Sequence, residues 1–481
     1  MSNLLYFASL LRTDVELGLG IFIAAVVTAH VLLTRREVAA SAGWIGLAWF
    51  APFLGGFLYF VLGINRVQRR ARRVRGGPAK PRRHGRAGRA REANRHLASL
   101  EKAIGLLTER PIEPGNTWRI LHNGDEAYPA MLAAIAGAKA SVGLSSYIIR
   151  ADSVGMRFVA ALQEAQGRGV AVRVIVDGVG SGWLRSRAYS ALLAAGLPAQ
   201  RFMHTVLPWR MPFLNLRTHK KILVVDGRLA FTGGINIADQ NEVATNPADP
   251  VQDTHFELRG PVVAQLVEAF ARDWAFCTER GDDDGEALDG PAWFPDLAPQ
   301  GDAVARVVTA GPDQDLEKIE FAVQQAIACA QTRITVMTPY FLPDQQLMMA
   351  LSLAAMRGVE VDITLPEHGD HRLVDWAWRA NIGPLLHDGC HVFLSPPPFR
   401  HSKVMVVDGA WCLIGSSNWD MRSFRLNFEL CVEITDSTLA TTLEALVVGW
   451  RGRQVNEIEI RRRSVVLRLR DAAARLLLPY L

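Results

Sequence analysis

One string of residues occurs twice in this chain, so whatever fold the chain adopts must build the same local unit twice. Residues 219–236 read HKKILVVDGRLAFTGGIN and residues 401–418 read HSKVMVVDGAWCLIGSSN. His219, Lys221, Asp226, Gly233, Gly234 and Asn236 are matched at equal offsets by His401, Lys403, Asp408, Gly415, Ser416 and Asn418. A single His-x-Lys-x4-Asp match is a weak signal. The chain has only seven lysines, and two matches with the same downstream steps are not coincidence.

The repetition extends beyond the motifs. SVGLSSYIIR, MRFVAALQEAQGRG and VAVRVIVDG correspond to RITVMTPYFLPD, QQLMMALSLAAMRG and VEVDITLP, each set a strand, a helix and a second strand. Strands alternating with helices predict parallel strands joined by helical crossovers. Arg168-Gly169-Val170 and Arg357-Gly358-Val359 close the two helices with the same stop and strand start. The expected fold class is α/β, with two pseudo-symmetric halves, residues 99–290 and 291–481, and the motifs together at the interface, where substrates usually bind.

Within each copy four apolar residues, ILVV or VMVV, read as a buried strand stopped by Gly227 or Gly409. Successive strand side chains point to opposite faces. His219 and Lys221 therefore share one face and Asp226 takes the other, a parity repeated by His401, Lys403 and Asp408. The histidines and lysines are the expected working pairs and the aspartates structural partners; for one copy alone a solvated strand end is the alternative.

A cationic lysine beside an imidazole, with the Asn236 or Asn418 amide and the Ser416 hydroxyl arriving from the following turn, suits a phosphate oxyanion. A neutral histidine can attack phosphorus or deliver a proton. Two such sets facing each other supply a nucleophile and an acid and require neither metal nor cofactor. Each half also offers a carboxylate to orient its own histidine: Glu429, 28 residues beyond His401, and Asp253 for His219. Aligning the helices PVVAQLVEAF and STLATTLEAL pairs Asp253 with Glu429, whereas aligning FEL with FEL nominates Glu257. An ordinary surface acid is the alternative for each. Five scattered cysteines without CxxC, and histidines without HExxH, point to neither a disulfide framework nor a zinc site.

Residues 17–33 are uncharged and apolar apart from Thr28 and His30, and residues 39–64 are uncharged throughout. Both reach the length of a membrane span, about 20 residues with a range of roughly 17–25, the first only just. They predict a two-helix transmembrane hairpin within residues 1–65, with buried soluble helices as the alternative; a signal peptide is the weaker reading, since Asp14 and Glu16 precede the first run and a second span follows directly. From Arg66 to Arg95 thirteen basic residues stand against one acid, Glu92. With its Gly and Pro, this run is expected to be a flexible linker, residues 66–98. The positive-inside rule places it and the catalytic region in the cytoplasm, although Arg35 and Arg36 in the intervening link oppose that orientation. Beside a membrane the run attracts anionic headgroups. Nucleic acid fits the same charge, but no aromatics interleave and the adjacent hairpin favours lipid. The tail from Glu457 alternates basic and apolar residues, as in a helix lying on a membrane or packed on the core.

The two motifs resemble those of the phospholipase D superfamily, whose active site is built from two His-x-Lys-x4-Asp motifs. SSYIIRAD, NLRTHKK, GGINIAD, TPYFLPD, FRHSK, SSNWDMRS and RLNFEL are similar to one branch, the bacterial cardiolipin synthases. The resemblance covers nearly the whole chain. It implies two phospholipase D-like domains and a catalytic set of His219, Lys221, Asp226, His401, Lys403 and Asp408. It further implies a multi-pass enzyme of the bacterial inner membrane that converts two phosphatidylglycerol molecules to cardiolipin and glycerol. His219 forms a phosphatidyl-histidine while His401 acts first as acid and then as base, with Asn236 and Asn418 helping to hold the phosphoryl oxygens. The motifs leave the acceptor open: water makes a hydrolase, serine a phosphatidylserine synthase, and a nucleic-acid phosphodiester substrate a nuclease. Oligomeric state and acyl preference are likewise open. Gly234 departs from the pattern, standing where many members of the superfamily have Ser.

Overall fold

The computed structural model describes residues 2–34, 38–60, 96–183, 185–204, 216–279 and 285–476. The basic run from 66 to 95 and the link at 35–37 lie outside the described residues. Two compact units form: one holds the N-terminal helices, the other every described residue from 96 onward.

In the first unit the apolar run at 17–33 lies within a helix, Ser2–Thr34. Its stretch Asp14–Thr34 is the one helix among the described residues long and apolar enough to cross a membrane. The run expected as a second span is broken into Val38–Phe50 and Pro52–Leu58. Charge and length do not register Pro52, which lacks an N–H and drives the residue before it out of the helical region. Ala51 accordingly takes φ −142° and ψ 72°. Pro52 then opens the next helix, where its missing N–H costs nothing. The polar residues of the first run find partners inside this unit. The Thr28 hydroxyl donates to the Ala24 carbonyl and accepts the Trp49 indole N–H, and His30 Nδ1 lies 2.7 Å from the Tyr59 hydroxyl.

The second unit is a mixed α/β body. Its described strands are β1 (Glu113–His122), β2 (Ser141–Ser146), β3 (Ala171–Asp177), β4 (Ala199–Phe202), β5 (Arg217–Thr218), β6 (Ile222–Val225), β7 (Leu229–Gly233), β8 (Val251–Gln252) and β9 (Thr254–Arg259). After residue 300 come β10 (Ala303–Ala310), β11 (Arg333–Met337), β12 (Phe341–Leu342), β13 (Glu360–Pro366), β14 (His391–Ser395), β15 (Phe399–Arg400), β16 (Val404–Val407), β17 (Trp411–Gly415), β18 (Trp419–Asp420) and β19 (Asn427–Thr435). One sheet runs β14-β13-β11-β16-β17-β19-β10-β1-β9-β7-β6-β2-β3-β4, with β5 attached to β19. Read inward from β4 or from β14, corresponding strands follow in the same order, and the two series meet where β1 pairs antiparallel with β10.

The repeated segments form the parallel pairs β2·β3 and β11·β13, while β6 and β16 enter antiparallel to β2 and β11. The helices Ser153–Gly167 and Gln345–Met356 stop at Gly169 and Gly358, both at φ 88°, where a glycine has no Cβ to clash. β6 and β16 are buried at every position because both sheet faces are covered. Ile222 and Val224 pack in a core with the helix Val262–Thr278; Leu223 and Val225 face another that holds Tyr128 and Phe158.

The hairpins β6·β7 and β16·β17 turn on Asp226-Gly227 and Asp408-Gly409, at φ 52°, 61°, 51° and 57°. Positive φ at both central residues is the type I′ pattern that Asp-Gly favours. The motif aspartates therefore sit at the opposite end of β6 and β16 from the histidines. Asp226 accepts the N–H groups of Lys139, Ala140 and Ser141. Asp408 accepts those of Gln331, Thr332 and Arg333 and lies 2.8 Å from His96 Nε2. Each carboxylate fastens the chain entering the neighbouring strand, which corrects the placing of Asp226 and Asp408 in the catalytic set.

Burial alone would raise the Asp408 pKa, but these N–H donors outweigh it and hold it below the ordinary value. Its stabilising contribution is therefore complete above the ordinary aspartate pKa and disappears as pH falls through the lower folded value. Asp408→Ala is expected to destabilise the body by about 2–3 kcal/mol at neutral pH. Thermal denaturation of the full chain in detergent should show the gap to wild type closing on acidification below about pH 4.

Candidate active site

Two short strand pairings decide where each histidine lies. β5 runs parallel to the start of β19, and the His219 N–H extends that pairing by donating to the Phe428 carbonyl at 2.8 Å. β8 runs parallel to β15, and the His401 N–H donates to the Gln252 carbonyl at 2.7 Å. Each histidine is thus laid beside a strand from the other part of the sequence.

The result is a crossed pair. His219 Nδ1 lies 3.0 Å from Glu429 Oε2, and His401 Nδ1 lies 2.8 Å from Asp253 Oδ2. The expectation that each half orients its own histidine is therefore corrected: both carboxylates are at the site, but each serves the opposite motif. Glu257, the competing candidate, instead pairs with Arg119 and Arg259.

The expected alternation is kept between His219 and Lys221. Lys220 turns the other way and forms a buried ion pair with Asp273 at 2.8 Å, a strut that spacing does not announce. Lys221 Nζ donates to the His219 carbonyl at 2.9 Å, and Lys403 Nζ donates likewise to that of His401. Asn236 and Asn418 are buried. The Asn236 side-chain Oδ1 accepts the Ile148 N–H, so the side-chain amide nitrogen is the end left to donate to a ligand.

Ser416 is placed differently from its expected role on phosphate. Its hydroxyl donates to Glu429 and accepts the Leu430 N–H, so it holds the carboxylate that holds His219. At the matching position a Cβ on Gly234 would lie 2.4 and 2.5 Å from the Asp253 carboxylate oxygens. Asp253 occupies the space that a serine side chain needs, which accounts for the departure at Gly234.

Two tyrosines join the site that the motifs do not name. Tyr147 meets His219 edge-on with ring centroids 5.0 Å apart, and Tyr340 meets His401 at 6.3 Å. Lys221 Nζ lies 5.3 Å from the Tyr147 ring centroid, and the Tyr340 hydroxyl donates to Asp370 at 2.7 Å. Their signal was in the repeat: SSYIIR and TPYFLP each carry a tyrosine just after the strand.

The electrostatics follow from burial. The Ser416 carbonyl, also 3.0 Å from His219 Nδ1, can only accept, so Nδ1 carries the proton and Nε2 presents its lone pair. Burial first, then the charges of Lys221 and Lys403, push the His219 pKa well below the ordinary range. His401 is lowered by burial and Lys403, with Asp253 opposing. Burial would raise Asp253, but Lys403 and His401 outweigh it and keep it ionised. Glu429 is pushed up to about 7 by burial against the pull of Lys221. Burial also lowers Lys221 to about 7 and Lys403 to about 8.

An anionic phosphodiester entering between these groups restores the charge that burial disfavours: it favours both ammonium groups and a protonated imidazole. Because kcat/KM reports the free enzyme, loss of the His401 proton, whose pKa is lowered, opens its alkaline limb, and loss of the two lowered lysine charges steepens it. It is expected to fall as pH rises from about 7 to about 9, by more than roughly tenfold per unit, as the phosphate-binding charge is lost on top of the His401 proton. A constant fall of only roughly tenfold per unit across that range would place the lysines at their ordinary values.

A family profile described as "Cardiolipin synthase, PLD-like domain" matches residues 131–274 and 323–447. Cardiolipin synthase of Geobacillus thermodenitrificans (strain NG80-2) is 32% identical over 475 residues, covering 96% of this chain and 92% of that protein. Cardiolipin synthase A of Pseudomonas fluorescens (strain SBW25) is 32% identical over 471 residues, covering 96% of each. Phosphatidylserine synthase of Haemophilus influenzae Rd KW20, a crystal structure, shares the fold with a TM-score of 0.61 at 13% identity over 80% of this chain and 100% of that one.

Proposed function

The chain belongs to the bacterial cardiolipin synthases of the phospholipase D superfamily and is a phosphatidyltransferase that makes cardiolipin; we propose that it does so from two phosphatidylglycerol molecules, with His219 as nucleophile and His401 as acid and base. The observation that carries this reading is the crossed pair, two buried imidazoles each held at Nδ1 by a carboxylate, with a lysine two residues on.

In the first step His219 Nε2 bonds to phosphorus, the bond from phosphorus to the glycerol oxygen breaks, and His401 gives that oxygen its proton. In the second, His401 takes the proton of a hydroxyl on the second phosphatidylglycerol. That oxygen attacks phosphorus, and the bond to His219 breaks to release cardiolipin. Lys221, Lys403, Asn236 and Asn418 neutralise and bind the non-bridging oxygens, where charge is worth most in a site shielded from water. Glu429 and Asp253 hold the tautomers and stabilise the imidazolium that forms.

The same reading takes residues 99–290 and 291–481 as two pseudo-symmetric phospholipase D-like domains, supported by the strand order and by the offsets of the two motifs. It places the protein in the bacterial inner membrane with the helix Asp14–Thr34 as a span. A multi-pass hairpin with the broken segment 38–58 crossing as well, the basic run 66–95 on anionic headgroups, and a cytoplasmic catalytic body belong to this proposal. Purified full chain in detergent, given phosphatidylglycerol alone, tests the reading by its lipid products.

A further inference from the structure

The C-terminal helix Val465–Arg475 has two faces that the catalytic chemistry does not use. Asp471 and Ala474 are buried and Arg470, stacked on Trp376, is half-buried, and these form the side that packs on the helix Arg372–Asn381. The opposite side is an unbroken apolar arc turned to solvent, with Val465, Val466, Leu469 and Leu476 respectively 68%, 75%, 66% and 77% exposed. Arginines flank the arc at 468, 470 and 475, and residues 457–476 carry six arginines against three acids. A helix with an exposed apolar arc between basic flanks is the form that lies in a lipid–water interface.

Beside it is a cleft of about 460 Å³ where the two helices meet, lined by Arg372, Arg379, Arg463 and Arg470 with Asp375 and Trp376. The nearby acid Asp471 is buried and already engaged by Arg463 and Arg470. Arg463 Nε is buried with no hydrogen-bond partner among the described residues. Burial disfavours the Arg379 charge, and Arg463 and Arg470 add repulsion that Asp375 and Asp471 oppose. Four arginines converge on a space whose acids do not balance them.

We propose that this edge docks on the bilayer, with the apolar arc of the C-terminal helix in the interface and the phosphate of an anionic phospholipid in the arginine cleft. Its position gives the docking a consequence. The helix Arg372–Asn381 begins just after Asp370, the acceptor of the Tyr340 hydroxyl, and Tyr340 flanks His401. Docking here holds the His401 side of the active site beside the membrane that contains its substrate. The inference rests on the reading of a bilayer phospholipid as substrate, but its site is separate from the reacting groups.

The test is hydrogen exchange on the full chain in nanodiscs of phosphatidylcholine, with and without phosphatidic acid, with cardiolipin formation measured in parallel discs containing phosphatidylglycerol. Peptides from 372–381 and 463–476 are expected to exchange more slowly in the anionic discs. Arg372→Gln and Arg463→Gln should each reduce that protection by about fivefold. Val465→Ser with Leu469→Ser, exposed positions that leave the packed side intact, should remove the protection of the C-terminal helix. Equal exchange of wild type in the two kinds of disc would overturn the proposal, as would protection indifferent to all these variants. Equal protection by glycerol phosphate in detergent would also overturn it, since the cleft would then be a site for soluble anions. Wild type that makes cardiolipin while exchange is unchanged refutes the docking alone; wild type that makes none refutes the functional reading instead.

Discussion

His219→Ala is expected to lower release of glycerol from phosphatidylglycerol by about ten-thousandfold or more, because it removes the atom that bonds to phosphorus. Neither neighbour can take over. Lys221 donates to the His219 backbone carbonyl, and Tyr147 presents its ring to the imidazole at 5.0 Å between centroids. The loss should fall on kcat and not on the apparent affinity, since the lysines and amides that bind the phosphate remain. His401→Ala should fail as severely with phosphatidylglycerol but for a different reason: the glycerol oxygen then leaves unprotonated. With a phosphatidyl ester of p-nitrophenol, whose leaving group needs no proton, His401→Ala should recover a burst of about one nitrophenolate per enzyme. His219→Ala should show no burst. A burst from His219→Ala and none from His401→Ala would reverse the two roles.

The carboxylates should follow the crossed geometry. Asp253→Asn is expected to cost about a hundredfold to ten-thousandfold in turnover of phosphatidylglycerol, because an amide no longer supports the His401 imidazolium. Since Asp253 lies 2.8 Å from His401, the defect should be largely bypassed by the nitrophenyl ester in the burst phase. Glu429→Gln acts on His219, 3.0 Å away, and its burst should stay slow whatever the leaving group. Pairing within each half predicts the opposite pattern, so burst kinetics of the two variants separate the arrangements. Both substitutions leave buried groups without their charged partner, and circular dichroism of each variant guards against reading misfolding as catalysis.

What could be read from the chain, and what could not, divides along the range of the interactions involved. The strand, helix and strand of each repeat depend on local periodicity and on stops such as Gly169 and Gly358, and these are legible. So is Asp253, because the helix that follows it in sequence aligns with the one after Glu429. The crossing is not legible. It depends on two-residue pairings of β5 with β19 and of β8 with β15, which join segments distant in sequence and leave no periodic trace. The Asp-Gly of each motif announces a hairpin turn, yet the N–H groups that Asp226 and Asp408 accept come from residues more than seventy positions away. The break at Ala51 was within reach, since Pro52 stands inside the apolar run, but hydropathy and charge give proline no weight. Gly234 departs from the pattern because the Asp253 carboxylate fills the space that a side chain there needs.

Incubating the purified full chain with phosphatidylglycerol labelled in its phosphate, without other lipid, and separating the products decides between transfer and hydrolysis. The two-histidine transferase predicts cardiolipin and free glycerol in equal amounts, both absent with His219→Ala and with His401→Ala. Phosphatidic acid as the sole labelled product, or cardiolipin undiminished in both variants, would contradict it.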